Sequence, residues 1–292
     1  EHLARFLARG TLDLGTAAVE RLGKAAVVEF RNPRFFNAID MTIVDQLEIA
    51  VEVAILDPHS QIAVLRGGKI DHPKWAGRRV FSSGINLTHL YYGKISYQFY
   101  FKHALGFENR MMRGIAQPDS PPDEIVGTTV EKAWIASVDG FAIGGGCQHL
   151  LTVDYTIAAD DAYMTLPARK EGIIPGLSNM RLPRFTGDRI ARQAIMYGRR
   201  LECDSPEGRL ICDEIVPHDR MDEALTKVIE GMTSSGVVSA VANRRAFRVA
   251  QEPIDLFREY LAVYAREQAY CHFSPALIAN LERHWNAKER KI

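Results

Sequence analysis

The sequence predicts an α/β fold whose last third is helical. Short apolar strand patterns alternate with helical periodicity in the first two thirds of the chain, and helical patterns dominate the rest. Two turns of small residues each join a strand to the start of a helix. We therefore expect an N-terminal helical segment at 1–20, an α/β core at 21–200 and a C-terminal helical region at 201–292.

The first elements follow from local patterns. Residues 1–20 are expected to be partly helical, with breaks at Gly10 and Gly15. A strand at 25–30 and a polar loop lead to a helix with Asp40 as its N-cap, because apolar residues follow at helical spacing: Ile43, Val44, Leu47, Val51 and Ile55. Next are expected a strand at 62–65, a polar insert at 69–79, a strand at 80–82, and an aromatic stretch that continues into a helix through Met112.

The second half starts with a proline-rich loop at 117–129, the segment that we expect to be most mobile. A central strand at 133–138 follows and is expected to turn at Asp139 and Gly140. Two short strands, a turn and a series of helices complete the prediction: strands 155–158 and 163–166, turn 171–176, and helices 178–185, 187–198, 204–210, 221–234, 236–251 and 254–285.

Composition and charge limit the classes of function. The 292 residues are 47% hydrophobic and 25% charged, which is ordinary for a globular protein. Lysine plus arginine and aspartate plus glutamate each number 36, so the net charge gives no reason to expect a nucleic acid or a membrane as partner. The four cysteines form no C-x-x-C pair and are expected to be reduced, in the cytoplasm. The start shows no signal-peptide pattern, and Glu1 leaves room for an upstream segment.

The most informative stretch is 138–148, which reads VDGFAIGGGCQ. Three adjacent glycines remove every Cβ, so a ligand could lie against the main chain where the first amides of a helix point outward. The alternative is that the glycines only let the helix pack closely on the strand. A second stretch, 80–87 (VFSSGINL), repeats the pattern of strand, small-residue turn and helix start. Together the two turns could donate two N–H groups to one oxygen, which is the geometry of an oxyanion hole.

Common cofactor and metal motifs are absent from the sequence. It contains no G-x-G-x-x-G, no phosphate loop and no H-E-x-x-H, and its nine histidines show no metal-ligand spacing. Residues 176–180 begin like a nucleophile elbow but lack the second glycine. We therefore expect chemistry based on backbone donors, with no metal and no nucleotide cofactor.

Three motifs in order, 81–87 (FSSGINL), 138–148 and 172–176 (GIIPG), resemble those of the crotonase (enoyl-CoA hydratase/isomerase) superfamily. The resemblance covers roughly residues 20–285. It implies a crotonase-like spiral of ββα units with C-terminal helices, assembled as a homotrimer or homohexamer, the C-terminal helices forming the trimerisation region. It also implies an acyl-CoA substrate whose thioester oxygen binds the N–H groups of Ile85 and Gly145, with Ser83, Gly84 and Gly144 as substrate-binding residues beside them.

Within the superfamily the chain is most similar to cofactor-independent arylacetyl-CoA dioxygenases, on stretches such as 65–68 (LRGG) and 170–176 (KEGIIPG). This implies O₂ as a co-substrate, held near Ile173. Hydratases of the superfamily carry glutamates where this chain has Gln148 and Ala168, and water addition needs carboxylates, so hydratase activity is not expected. The chain departs from the dioxygenases at Ile39, where they have an acidic pocket residue, and at His103, where they have an arginine.

Several side chains could have either a functional or a purely structural role. Gln148 would bind a polar group of the substrate or a water, or else only pack in its helix. His103 would be a general base, or a satisfied core histidine. The basic residues of the insert would contact CoA phosphates, or form a solvated face: Lys74, Arg78 and Arg79. The tyrosines between 91 and 100 are expected to pack around the acyl pocket rather than to catalyse.

Three functions remain from the sequence. The first is an enzyme that stabilises a thioester enolate in a backbone oxyanion hole and oxygenates an arylacetyl-CoA with release of CoA. The second is a thioester or carbon–carbon bond hydrolase, or a hydratase-isomerase, of the same fold. The third is a non-catalytic acyl-CoA-binding subunit, suggested by the missing glutamates.

Overall fold

The computed structural model describes residues 1–291, and its strands and helices are numbered here in chain order. The strands within these residues are β1 Thr11–Asp13, β2 Ala17–Leu22, β3 Ala25–Phe30, β4 Ile62–Gly67, β5 Val80–Ser82, β6 Ile115–Ala116, β7 Thr129–Val130, β8 Trp134–Ile143, β9 Tyr155–Ala159, β10 Tyr163–Thr165, β11 Leu201–Glu202 and β12 Glu214–Val216.

The α-helices are α1 His2–Arg9, α2 Val44–Leu56, α3 Leu87–Tyr91, α4 Phe99–Leu105, α5 Phe107–Arg113, α6 Gly145–Leu150, α7 Ala168–Glu171, α8 Ser178–Tyr197, α9 Met221–Ser234, α10 Val237–Gln251, α11 Ile254–His272 and α12 Pro275–Trp285. Short 3₁₀ helices lie at Pro33–Phe35, Pro73–Trp75, Gly208–Leu210, His218–Arg220 and Ala287–Glu289. Within 1–291, no helix is both long and apolar enough to cross a membrane.

Strand β8 organises the sheet. The main path runs β1-β2-β3-β4-β8-β10-β11, and β8 also pairs with β5 and β9. β1, β2 and β3 are antiparallel, whereas β4, β5, β9 and β10 all run parallel to β8. Trp134 at the start of β8 is fully buried in the main hydrophobic core. The carboxyl ends of β5, β8 and β10 therefore meet at one edge, where the two small-residue turns lie.

The central strand is longer than its sequence predicts. Asp139 and Gly140 do not form a turn, because β5 and β10 pair with this part of β8 and satisfy its backbone. Gly140 keeps a φ of +72° inside the strand, where the pairing with β5 shifts register. The strand continues to Ile143, so the chain turns at Gly144.

The N-terminal segment is helical only in part, as expected, and its helix ends at Gly10. Residues 11–13 and 17–22, however, are strands that extend the sheet beside β3. The buried residues at the start of β2 explain this, since pairing with β3 covers them with the core. The expected boundary at residue 20 falls inside β2.

The chain is mainly helical from residue 178 onward, as predicted, but differs from the prediction in its details. Residues 204–210 form a turn and a 3₁₀ helix rather than an α-helix, and the short strands β11 and β12 flank them. The predicted helices 178–185 and 187–198 form one element with a kink at Gly187, whose backbone angles are not helical.

Glu252, which follows α10 and is fully buried, connects the C-terminal helices to the rest of the fold. It accepts hydrogen bonds from Arg181 of α8 and Arg113 of α5. The domain division and the trimerisation region stay predictions.

Candidate active site

The first turn of the site is made by Gly144 between β8 and α6. Gly144 has a φ of 51° and a ψ of −114°, a conformation that residues with a Cβ rarely adopt. Its N–H donates to the carbonyl oxygen of Thr165 at 2.8 Å. The following N–H, that of Gly145, donates to no acceptor in the part of the chain that the structure describes. It is available to a ligand.

The second turn lies directly against the first. Gly84 has a φ of +80°, and a Cβ on it would lie 2.5 Å from the carbonyl oxygen of Ile143 and 3.1 Å from the nitrogen of Gly145. Real Cβ atoms do not come this close to a carbonyl oxygen. Only glycine at position 84 allows the two main chains to approach, so the sequence pattern of two bare turns corresponds to a real contact.

Ile39 holds the second turn in place. Its N–H donates to the carbonyl oxygen of Gly84 at 2.7 Å, and its own oxygen accepts from the N–H of Asn86 at 2.9 Å. The N–H of Ile85, between these two bonds, has no acceptor within residues 1–291. Ser83 supports the same turn by donating from Oγ to the carbonyl oxygen of Phe35 at 2.8 Å.

Both free N–H groups belong to residues that line one cavity of about 30 Å³. A cavity of this size has room for about one or two water molecules. Seven of the predicted site residues line it: Ile39, Ile85, His103, Gly144, Gly145, Gln148 and Ile173. A larger apolar groove of about 440 Å³ between α8 and α11 shares part of this wall. The shared residues are Ala168, Ile173, Ile174, Pro175 and Tyr264.

His103 points one ring nitrogen at the cavity and the other at a buried carboxylate. Its Nε2 would lie 3.5 Å from a Cβ placed on Gly145, and its Nδ1 is 3.5 Å from Glu108. Glu108 also accepts from Nδ1 of His149 at 2.9 Å. Burial alone would raise the pKa of Glu108, but the two histidines hold that pKa well below its usual range. The carboxylate of Glu108 thus lies between the two imidazoles, on the Nδ1 side of His103.

The same three side chains offer ligands that transition metals accept. Donor atoms of His103, Glu108 and His149 all lie within 4.8 Å of one another. In this structure the imidazoles of His103 and His149 both contact the carboxylate of Glu108. Burial lowers the pKa of His149 against the opposing effect of Glu108. The expectation of no metal stays a prediction.

Glu171 is a second titratable side chain in the cavity wall. It is 4% exposed, and burial raises the pKa of its carboxyl to about 7. Its Oε1 would lie 3.9 Å from a Cβ on Gly144. No hydrogen bond or ion pair involves this side chain among the described residues. The site thus contains a carboxyl group close to the free N–H groups.

Gln148 faces the cavity from the first turns of α6 and packs against Gly176. A Cβ on Gly176, which has a φ of +46°, would lie only 2.1 Å from Oε1 of Gln148. The glycine therefore makes room for the amide. Within residues 1–291 the side chain of Gln148 makes no hydrogen bond, so both its donor and its acceptor remain for a substrate or a water.

The basic insert residues lie outside this cavity. Arg78 donates to Asp161 and Asp139, at 2.6 and 2.8 Å, and its hydrogen bonds to these two carboxylates raise its pKa. Arg79 donates to Glu29. Lys74 is exposed, with Nζ 5.2 Å from the centre of the Trp75 ring. The acidic partners of both arginines compete with any phosphate, and a role for the three residues in binding CoA stays a prediction.

Sequence reasoning missed Glu108, His149 and Glu171. A signal for Glu171 existed: it is an acidic residue directly before the turn at 172–176 and three positions after Ala168, so one face of a helical turn holds both. Glu108 and His149 gave no signal, because a helix packed across α6 brings them together from distant parts of the sequence.

Comparison with known proteins shows which proteins the chain resembles. Residues 123–266 match the family model described as enoyl-CoA hydratase/isomerase. The chain is 43% identical over 270 residues to a (3,5-dihydroxyphenyl)acetyl-CoA 1,2-dioxygenase of Amycolatopsis orientalis, covering 92% of this chain and 61% of that protein. It thus spans about three fifths of the relative's length. It is 24% identical over 237 residues to a probable enoyl-CoA hydratase of Rhizobium meliloti, covering 79% of this chain and 80% of that protein.

Solved structures show the same fold. An enoyl-CoA hydratase/isomerase from Xanthobacter autotrophicus superposes with a TM-score of 0.75 at 21% identity, covering 94% of this chain and 96% of the other. An enoyl-CoA hydratase from Mycobacterium avium subsp. paratuberculosis gives 0.73 at 20% identity, covering 92% and 98%. The predicted α/β fold with C-terminal helices is confirmed. The chain is thus similar to the crotonase superfamily, and its residues 123–266 match the enoyl-CoA hydratase/isomerase family.

Proposed function

We propose that the chain is an acyl-CoA enzyme that binds the carbonyl oxygen of an arylacetyl-CoA thioester between the N–H groups of Ile85 and Gly145. The observation that carries this proposal is that both N–H groups lack an acceptor within residues 1–291 and belong to two turns in contact at one cavity. As the α-proton leaves, negative charge builds on that oxygen, and donors already in place stabilise it. Each donor contributes about 3 kcal/mol, or roughly a hundredfold in rate.

In the reaction that we propose, the enolate transfers an electron to O₂ and the two radicals combine to a peroxide at the α-carbon. The peroxide attacks the thioester carbonyl and CoA leaves, and the oxygen–oxygen bond then breaks as the second α-hydrogen is lost as a proton, which forms the 2-oxo group. One thioester and one O₂ give one 2-oxo acid and one CoA thiol, so the atoms balance without a metal or a flavin. The dioxygenase that is 43% identical supports this reaction. The cavity beside Ile173, of about 30 Å³, is large enough for O₂.

A second candidate is a hydrolase or hydratase-isomerase that uses the same oxyanion site with water in place of O₂. The buried carboxyl of Glu171 favours it, because a carboxyl with a pKa of about 7 can take and return a proton near neutral pH. A third candidate is a subunit that binds acyl-CoA without turnover, which Gln148 and Ala168 suggest by replacing two glutamates. Trimeric or hexameric assembly and a cytoplasmic location are further proposals that rest on the family resemblance.

One experiment separates the three candidates. A panel of arylacetyl-CoA thioesters is incubated with the enzyme in air and under argon, and free thiol and dissolved O₂ are measured together. The oxygenase predicts one O₂ consumed per thiol released and no thiol under argon. Equal thiol release in both atmospheres would indicate a hydrolase, and binding without any chemical change would indicate the subunit.

A further inference from the structure

The side chain of Glu171 has no structural role that accounts for its burial. It is 4% exposed and lies in the wall of the cavity. A buried carboxyl is normally paired with a cation or held by several donors, because leaving it alone is costly. Within the described residues Glu171 has no such partner, and burial is the whole cause of the rise of its pKa. The remaining use for its oxygens is contact with a ligand in the cavity.

The position of Glu171 on α7 directs it to the reacting atoms. α7 spans Ala168–Glu171, and both of its end residues line the cavity. Residues three apart in a helix lie on one face, so Glu171 presents a carboxyl from the face on which Ala168 has only a methyl group. Its Oε1 would lie 3.9 Å from a Cβ placed on Gly144, the residue that precedes the free N–H of Gly145. A thioester bound at that N–H would enter the cavity that Glu171 lines.

We propose that Glu171 is the catalytic residue that accepts the α-proton of the bound thioester, an inference that rests on the proposed function. The C–H bond breaks, the proton moves to a carboxylate oxygen of Glu171, and the electron pair forms the enolate whose charge lies on the carbonyl oxygen. In the reaction with O₂ the proton ends on the departing thiolate. The assignment gives this chain a side-chain base one helical turn from the position where hydratases have theirs.

The other titratable groups around the cavity are less suited than Glu171 to accept the α-proton. Tyr100, His103 and Tyr264 also line it, while Arg169 and Lys170 on α7 are exposed. Burial raises the pKa of both tyrosines, which keeps them protonated at neutral pH. His103 is the one competitor, because its Nε2 also lies near Gly145.

The test is deuterium exchange at the α-carbon of phenylacetyl-CoA, measured in D₂O under argon by mass spectrometry. We compare wild type with Glu171→Gln, Glu171→Asp and His103→Gln, and use Glu259→Gln, an exposed carboxylate on α11, as the matched control. Wild type is expected to exchange, with a rate that rises with pH and levels off above about 7. Glu171→Gln is expected to be slower by roughly 10² to 10⁴ and to lose this rise, with Glu171→Asp intermediate.

Each outcome decides one question. If Glu171→Gln binds phenylacetyl-CoA as wild type does but exchanges within threefold of its rate, Glu171 is not the base. A loss of exchange confined to His103→Gln would overturn the assignment in favour of His103. If the wild-type enzyme binds phenylacetyl-CoA but does not exchange its α-hydrogens, the proposed enolisation is itself wrong.

Discussion

Gly84 and Gly145 lie against each other so closely that a Cβ on Gly84 would come within 3.1 Å of the nitrogen of Gly145. This contact joins two turns that are 61 residues apart in the numbering of the chain. It brings the free N–H of Ile85 and that of Gly145 to the same cavity. The proposed oxyanion hole therefore depends on the absence of one side chain.

Gly84→Ala tests that dependence. The added Cβ would lie 2.5 Å from the carbonyl oxygen of Ile143, which is backbone and cannot move aside, so the two turns must separate. We expect α-proton exchange to fall by about 10²-fold, the effect of losing one oxyanion donor. Gly93→Ala is the control, because Gly93 also has a positive φ, +68°, but nothing lies within 4 Å of its Cβ position. Equal activity in the two variants would contradict the role of the contact.

Gly176→Ala is expected to act through Gln148. The new Cβ would lie 2.1 Å from Oε1 of that amide, a flexible side chain that can be displaced. We expect the KM for the thioester to rise about tenfold in Gly176→Ala and similarly in Gln148→Ala, the order of a lost hydrogen bond. The double variant should be no worse than Gln148→Ala alone, which steady-state kinetics can measure. Additive effects would show that Gly176 acts independently of Gln148.

Glu171→Gln should change how stability depends on pH. The folded pKa of about 7 lies above the ordinary value of 4.5, so the folded state binds the proton more tightly than the unfolded state. Burial of the carboxyl therefore costs little below pH 4.5, and its cost grows as the pH rises through 7 to about 3 kcal/mol. Denaturant unfolding should show Glu171→Gln more stable than wild type at pH 8 and about equal at pH 4. A difference that does not change with pH would contradict the burial of an unpaired carboxyl.

Glu108→Gln tests the carboxylate behind His103. Burial lowers the pKa of His149, and Glu108 opposes this effect. Removing the charge should lower the pKa of His149 further, which NMR titration of the imidazole signals measures. Glu52→Gln is the control, since Glu52 pairs with Arg110 away from the cavity. An unchanged titration of His149 in Glu108→Gln would show that the carboxylate does not act on it.

Local pattern was sufficient for much of the fold. The small residues at 82–84 predict the turn at Gly84, whereas the turn after the central strand, predicted at Asp139 and Gly140, lies at Gly144. β8 was predicted too short because pairing with β5 and β10, a tertiary effect, outweighs the turn preference of Asp139 and Gly140. The strands at 11–13 and 17–22 were missed for the same reason.

The backbone part of the candidate site could be predicted from the sequence. The buried glutamates around it could not. Two bare turns that could donate N–H groups follow from the small residues, and the resemblance to the superfamily's motifs implies Ile85 and Gly145 as the donors. Glu108 and Glu171 do not follow from the sequence, because nothing local shows that a glutamate is fully buried or that it lacks a partner. Their environment comes from helices packed across the cavity, which places the carboxyl of Glu171 in its wall although Gln148 and Ala168 replace the glutamates of the hydratases.

The most direct measurement of the central claim is the infrared stretch of a ¹³C-labelled thioester carbonyl in phenylacetyl-CoA bound to the enzyme under argon. Two N–H donors at Ile85 and Gly145 should polarise the carbonyl and lower its stretching frequency relative to free phenylacetyl-CoA, and Gly84→Ala should remove most of that shift. A thioester that binds to wild type with an unshifted carbonyl frequency would contradict the proposed oxyanion hole.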